Sequence, residues 1–304
     1  MIKIIIIFLL LVLVLTVVYL VNYSYGKVIL GKKKDKEEAF NVLKSRGSYD
    51  ISLYDSIEYE NLEIVSKDGY KLKGYYINKF PNNKKVIILC HGYTANHYLT
   101  LQYIDIFLKD GFNILQIDVR AHGDSDGEYP TYGILEREDL DIWVEKIKEK
   151  LGEDVIIGLC GQSMGAATVL MYGGIHEEKI NFIIADCGYS NGKEILKYQF
   201  KKAKVPLTPI YPFLNMVFKI KCKFSMNDVS PIDDIKESEI PTLFIHGTAD
   251  TTVPCFMSKE MYKVKNGKKD RLLIIENAGH VVAYDKDKKK YEDTVHEFIN
   301  SVLN

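Results

Sequence analysis

Residues 155–167 read Val155-Ile156-Ile157-Gly158-Leu159-Cys160-Gly161-Gln162-Ser163-Met164-Gly165-Ala166-Ala167. A short apolar run of strand character passes into Gly-x-Ser-x-Gly and then into small, helix-favouring residues. A serine on such a strand-to-helix turn presents its hydroxyl at the end of the strand. The bend requires small residues where its two arms approach, which is the expected reason for Gly161 and Gly165. Amides at the start of the following helix would face negative charge developing beside that hydroxyl. Five residues are a short motif, and Ser163 as a plain helix N-cap is the alternative. The placement between strand and helix favours a nucleophile. Cys160, on the strand side of the turn, is expected to be packed.

The chain on either side repeats the same strand and helix alternation. Ser56–Ser66 and Tyr70–Ile77 alternate around Lys67-Asp68-Gly69 and predict an opening hairpin. Short buried-type runs follow at Lys85–Cys90, Asn113–Asp118, Val155–Leu159, Phe182–Ala185, Thr242–His246 and Leu272–Ile275. Helical patterns at Leu99–Lys109, Gly133–Leu151, Met164–Tyr172, Ser258–Lys263 and Lys288–Val302 separate them. That order predicts a mainly parallel sheet flanked by helices. Residues 191–239 interrupt the alternation, with Pro206, Pro209 and Pro212 between candidate helices. An inserted lid over the carboxyl ends of the strands fits this position. A plain surface excursion is the alternative, and the length of the segment counts against it.

A serine nucleophile needs a base, and the base needs an orienting partner. Of the seven histidines, His280 closes the loop after the last strand-like run, and Asp250 closes the loop after the run before it. Both loops fall at the sheet edge that carries Ser163, in the chain order Ser, Asp, His. The bland readings are an exposed loop histidine and a turn-capping carboxylate. The order favours Ser163, Asp250 and His280 as a catalytic set. His246 is expected to pack beneath the Asp250 loop, with His176 near the end of the helix behind Ser163 and His296 on the last helix. Two converging amides are expected to hold the oxyanion. These are the backbone N–H of Met164 and that of Tyr93, in the loop His91-Gly92-Tyr93-Thr94, where Gly92 lets the chain approach closely.

Asp118-Val119-Arg120-Ala121-His122-Gly123-Asp124-Ser125-Asp126-Gly127 reads as a network of turns with an ion pair at Arg120 rather than a metal site. Glu136, Glu138 and Asp139 read as the acidic opening of a helix. No His-Glu-x-x-His or compact Cys/His set occurs in the sequence, so neither a metal nor an organic cofactor is expected. The five cysteines are an odd number, far apart, and suit small buried hydrophobes rather than a disulfide framework. With 40 basic and 41 acidic residues the chain has a formal charge of -1, which gives no support for a nucleic-acid partner.

The amino terminus is of a different kind. Ile4–Val21 carries no charge, and its eighteen residues would rise about 27 Å as a helix, close to a hydrocarbon thickness of about 30 Å. It predicts a single-pass membrane helix, partnered by the lipid bilayer. Asn22-Tyr23-Ser24-Tyr25-Gly26-Lys27 lacks the small-residue cleavage pattern of a removed signal. Lys27, Lys32, Lys33, Lys34 and Lys36 outnumber Lys3, which by the positive-inside rule places the large domain in the cytoplasm. A short Lys-bearing start before an apolar run is also the form of an uncut export signal, so both sides stay open. The expected organisation is an anchor over residues 1–24, a juxtamembrane helix and linker over 25–55 with its lysines solvated near headgroups, and one domain over 56–304.

From Ser56 to Asn304 the residues resemble the α/β-hydrolase superfamily, most closely its serine-aminopeptidase-like and bacterial membrane-associated branches. The resemblance is strongest at His91-Gly92, Asp118–Gly127, Gly161–Gly165, Asp250 and His280. It implies the α/β-hydrolase fold, a modest lid over 191–239, catalysis by Ser163, Asp250 and His280, and oxyanion donors at Tyr93 and Met164. It also implies hydrolysis of a small acyl ester or thioester. A serine peptidase is the nearest alternative, and a non-catalytic membrane scaffold is the alternative outside enzymes.

Overall fold

The computed structural model describes residues 1–205, 207–265 and 267–304. Eight strands form one sheet: β1 (Glu60–Val65), β2 (Lys71–Ile77), β3 (Lys85–Cys90), β4 (Asn113–Ile117), β5 (Ile156–Gln162), β6 (Phe182–Asp186), β7 (Thr242–Gly247) and β8 (Arg271–Ile275). Their spatial order is β1-β2-β4-β3-β5-β6-β7-β8. β1 pairs antiparallel with β2, and β2 antiparallel with β4. Every other neighbouring pair is parallel. β4, β6 and β7 are buried along their whole length and β3 from Val86 on, as strands covered on both faces must be. Residues 56–59 were expected to begin the hairpin but stay outside it. Ile51–Ser56 forms a 3₁₀ turn capped by Asp50, whose carboxylate accepts from the Ser52 amide, and pairing starts at Glu60.

Two apolar clusters sandwich the sheet. One holds α4 (Ile134–Leu151) and α5 (Met164–Gly173), with Trp143 and Tyr172 fully buried. The other holds α3 (Ile104–Lys109) and the last helix (Lys288–Leu303), with Phe107, Tyr291 and Phe298. The start of α4 is closed by Glu136, which accepts from the Thr131 and Gly133 amides and the Thr131 hydroxyl. Arg120 grips Asp139 through Nε and Nη2, both at 2.7 Å, and reaches Asp68 at 2.9 Å, so the charged loop is a structural network.

The inserted region carries α6 (Gly192–Lys202), α7 (Leu207–Cys222) and α8 (Pro231–Ile235). Pro206 lies outside the described residues. Pro209 and Pro212 do not separate helices as expected. They fall within the α7 span, just after a break at Thr208 (φ −88°, ψ 123°). Pro209 directly follows the break, where a missing N–H has no helical partner, whereas Pro212 stands inside the helix.

The apolar amino terminus forms α1 (Ile2–Ile29), which continues through residue 24 without a break. Its first part is exposed, whereas Val21, Ser24, Val28 and Ile29 are buried against the sheet domain. Tyr132 Oη donates to Val28 O at 2.7 Å, the Gly31 amide donates to Tyr93 Oη at 2.8 Å, and the Tyr25 ring packs on Phe218 of α7. α2 (Lys36–Arg46) follows, closed by a reciprocal Asp35–Glu38 cap and a left-handed Gly47 (φ 64°). Lys33 and Lys34 are half-buried, whereas Lys27, Lys32 and Lys36 are exposed.

Candidate active site

β5 ends at Gln162, α5 begins at Met164, and Ser163 makes the turn alone, with φ 54° and ψ −115°. Such a backbone costs a non-glycine residue about 1–3 kcal/mol and persists only where its surroundings hold it. Several contacts do so. The Ser163 amide donates to Asp186 O at 2.8 Å, and the Ala167 amide to Ser163 O at 3.0 Å. A Cβ on Gly161 would lie 2.3 Å from Gly165 O, and one on Gly165 would lie 2.1 Å from Cys90 O. The bend closes because neither residue has a side chain. Gly92 is similarly confined, since a Cβ there would stand 3.1 Å from Gln162 O and from Ser163 Cβ.

The turn brings Ser163 Oγ to 2.9 Å from His280 Nε2, and His280 Nδ1 to 2.7 Å from Asp250 Oδ2. A carboxylate on Nδ1 holds the proton there and leaves Nε2 free to accept from the serine hydroxyl. The other Asp250 oxygen accepts from the Thr252 amide at 2.7 Å and the Val253 amide at 2.9 Å. His246, fully buried under this loop as expected, binds Ser258 Oγ at 2.7 Å and Val253 O at 2.9 Å, with Nε2 3.3 Å from Asp250 Oδ2. Burial alone would raise the Asp250 pKa. The hydrogen bonds from His246 and His280, the His280 charge and the Val253 amide outweigh it and hold this carboxyl well below the usual carboxylate range.

Ser163, Met164, Gly92, Tyr93 and His280 all line one cavity of about 690 Å³. Neither the Tyr93 amide nor the Met164 amide has a protein acceptor among the described residues. The Tyr93 ring does not reach freely into the cavity, because its hydroxyl is engaged by Gly31. His91 is wholly buried. It donates from Nδ1 to Gly92 O at 2.8 Å and accepts the Val119 amide on Nε2 at 3.1 Å, and burial drives its pKa down. It is therefore a neutral brace for the Gly92 loop. His122 is the same kind of group, accepting the Thr94 amide and bonding Arg120 O.

Two contributors escaped the sequence reading. Cys187, expected only as a buried small hydrophobe, lies with its sulfur among the Asp250 and His280 donor atoms, all within 4.8 Å of one another. Burial pushes its thiol well up, so it stands there as a neutral filler. Asp250 and His280 are already engaged by each other and by Ser163, which leaves this group poorly arranged for a metal. Arg46, from α2, donates to Val281 O at 3.0 Å and so buttresses the residue after His280 across 235 positions of chain. No local pattern signals such a contact.

The family model for the alpha/beta hydrolase fold matches residues 85–208. The chain is similar to the uncharacterized protein YqkD of Bacillus subtilis, 34% identical over 94% of both chains. It is also similar to the uncharacterized protein YfhR of Escherichia coli, 26% identical over 81% of this chain and 82% of the other. Among solved structures, the Pyrococcus furiosus esterase Pf2001 superposes with a TM-score of 0.68 at 26% identity, covering 84% of this chain and 95% of that one. With the sheet order, the turn at Ser163 and end-to-end similarity to YqkD, the chain belongs to the α/β-hydrolase superfamily.

Proposed function

We propose that this protein is a serine hydrolase, held at a bilayer by α1, that cleaves a carboxylic ester or thioester by acyl transfer to water. The observation that carries the reading is the hydrogen-bonded series Ser163–His280–Asp250 opening into the 690 Å³ cavity. In the first step His280 Nε2 takes the Ser163 proton as Oγ attacks the carbonyl carbon, and Asp250 stabilises the imidazolium that forms. The amides of Tyr93 and Met164 receive the carbonyl oxygen as it becomes negative. His280 then returns the proton to the leaving group, and the acyl-enzyme forms. In the second step His280 deprotonates water, which releases the acid and regenerates Ser163.

Similarity to a solved esterase supports ester chemistry. The cavity wall argues against an aminopeptidase, because a substrate's free ammonium would call for a carboxylate and no Asp or Glu lines the cavity among the described residues. Anchoring is supported by α1, whose apolar stretch is exposed over most of its length, as suits a lipid surround. The proposed lid is α6 with α7, of which α6 supplies Ile195, Leu196 and Phe200 to the cavity.

Fluorophosphonate labelling of the full chain in detergent, beside Ser163→Ala and followed by ester, thioester and peptide substrates, tests the reading. Labelling is expected in wild type and lost in the variant, with kcat lowered by about four to six orders of magnitude. Unlabelled, well-folded wild type would point to the scaffold alternative. Turnover retained by Ser163→Ala would exclude this nucleophile.

A further inference from the structure

Resting on the esterase reading, we infer that the substrate is a single-chain amphiphile with an anionic headgroup, drawn from the bilayer into the cavity between the anchor and the lid. The first ground is the wall itself. Tyr23, Ser24, Lys27 and Val28 of the anchoring helix line the same cavity as Ser163 and His280. The apolar run ends at Val21, and Lys27 lies six residues on, about 9 Å along the helix. A helix that spans the bilayer therefore sets the mouth of the cavity at headgroup depth.

Charge is the second ground. Lys27, Lys34 and Arg46 line the cavity, with no carboxylate among the described lining residues to balance them. None of the three is in an ion pair among the described residues. The Lys34 ammonium has only Thr94 Oγ1, at 3.4 Å, and Arg46 has the Val281 carbonyl. Lys34 is half-buried, and burial drives its pKa down, which an anion bound beside it would reverse. These cations come from α1, α2 and the segment joining them. α6 and the residues just after it line the cavity with Ile195, Leu196, Phe200, Ala203 and Val205 and bring no lysine or arginine to it, so an acyl chain has a wall free of cations, while Val28 and Val42 share the cationic side.

The third ground is independent of the cavity. α7 packs its Leu214 and Phe218 face inward beside α1 and leaves Phe213, Met216 and Ile220 exposed, spaced three and four residues apart on one stripe. Ile220 is 72% exposed. An apolar stripe beside a membrane helix, with Lys219 and Lys221 flanking Ile220, suits insertion at the interface. It would hold the lid against the leaflet from which the substrate comes.

The test measures binding and turnover separately. Binding of 1-palmitoyl lysophosphatidylglycerol and of uncharged 1-palmitoylglycerol, each in phosphatidylcholine vesicles, is measured on the full-length Ser163→Ala chain by displacement of a fluorescent fatty-acyl probe. The anionic amphiphile is expected to bind at least about tenfold more tightly. That preference should fall about tenfold in Lys34→Gln/Arg46→Gln and be kept in Lys34→Arg/Arg46→Lys, which separates charge from folding. Equal binding of the two amphiphiles, or a preference unmoved by Lys34→Gln/Arg46→Gln, overturns the inference. Glycerol phosphate alone is expected not to displace the probe. Displacement at comparable concentration would overturn the membrane origin of the ligand in favour of a soluble phosphate. Turnover by wild type of neither amphiphile, with the binding preference intact, would remove the esterase reading and leave this inference as one of ligand binding.

Discussion

At Asp250 four donors converge on one carboxylate, two amides on one oxygen and two histidines on the other. This arrangement keeps the group ionised through the whole working range. Asp250→Asn keeps the shape but fails to hold the His280 proton on Nδ1, and kcat is expected to fall about 10⁴-fold in steady-state ester hydrolysis. The buried histidines act on stability instead. Burial drives the His122 pKa down to about 3, with the nearby His91 adding to the fall, so the fold keeps His122 neutral while the unfolded chain protonates near 6.5. Stability then falls as pH drops through 6.5 towards 3, because the unfolded state binds the extra proton. Asp186, pushed up to about 6 by burial, has the opposite sign, taking its proton first in the fold and adding stability as pH falls from about 6 to about 4. The two overlap, so the expected signature is a difference: between pH 7.5 and 4.5 the urea midpoint of His122→Gln drops less than that of wild type. Ser163, Asp250 and His280 were legible because each ends a recognisable strand and loop. Cys187 and Arg46 were not, since their neighbours are set by packing between segments far apart in sequence.

Among the elements, the β5–α5 turn shows how a motif becomes geometry. Gly165→Ala would drive a methyl into the carbonyl of Cys90, a backbone atom inside a five-residue parallel register that cannot withdraw. The expected result is loss of folded protein, or a fall in Tm of more than about 5 °C, by circular dichroism. Gly26→Ala is the contrast, with no atom within 4 Å of the new methyl and a helical backbone already in place, and it should be neutral or stabilising by about 0.5–1 kcal/mol. The opening hairpin was legible by its alternation, the parallel strands as short continuous apolar runs and the helices by their 3.6 period, with ends displaced by a few residues. Residues 56–59 alternate like a strand yet pair with nothing, because Asp50 first winds the preceding residues into a 3₁₀ turn. The continuation of α1 to Ile29 was hidden for a related reason. Polar residues end the hydropathy signal at Val21, but Ser24, Val28 and Ile29 keep the helix by burying one face on the domain.

For the molecule as a whole, the amino-terminal segment is a structural member of the hydrolase domain as well as its proposed anchor. A chain beginning at Asn22 retains Tyr23 to Val28 and is expected to label with fluorophosphonate like the full protein. One beginning at Lys32 loses the Tyr132–Val28 and Tyr93–Gly31 hydrogen bonds and the buried Val28 and Ile29 side chains, each worth roughly 2 kcal/mol. Its Tm should fall by at least about 5 °C in a thermal-shift measurement. The same two hydrogen bonds have a kinetic consequence. On the proposed anchoring, a domain pinned this closely to α1 cannot swing out on a leash to sample solution, and it would meet the proposed bilayer substrate by lateral diffusion in one leaflet. Turnover in vesicles should then follow the mole fraction of substrate in the lipid. Adding inert phospholipid would slow the reaction even though the amount of substrate per millilitre stays the same.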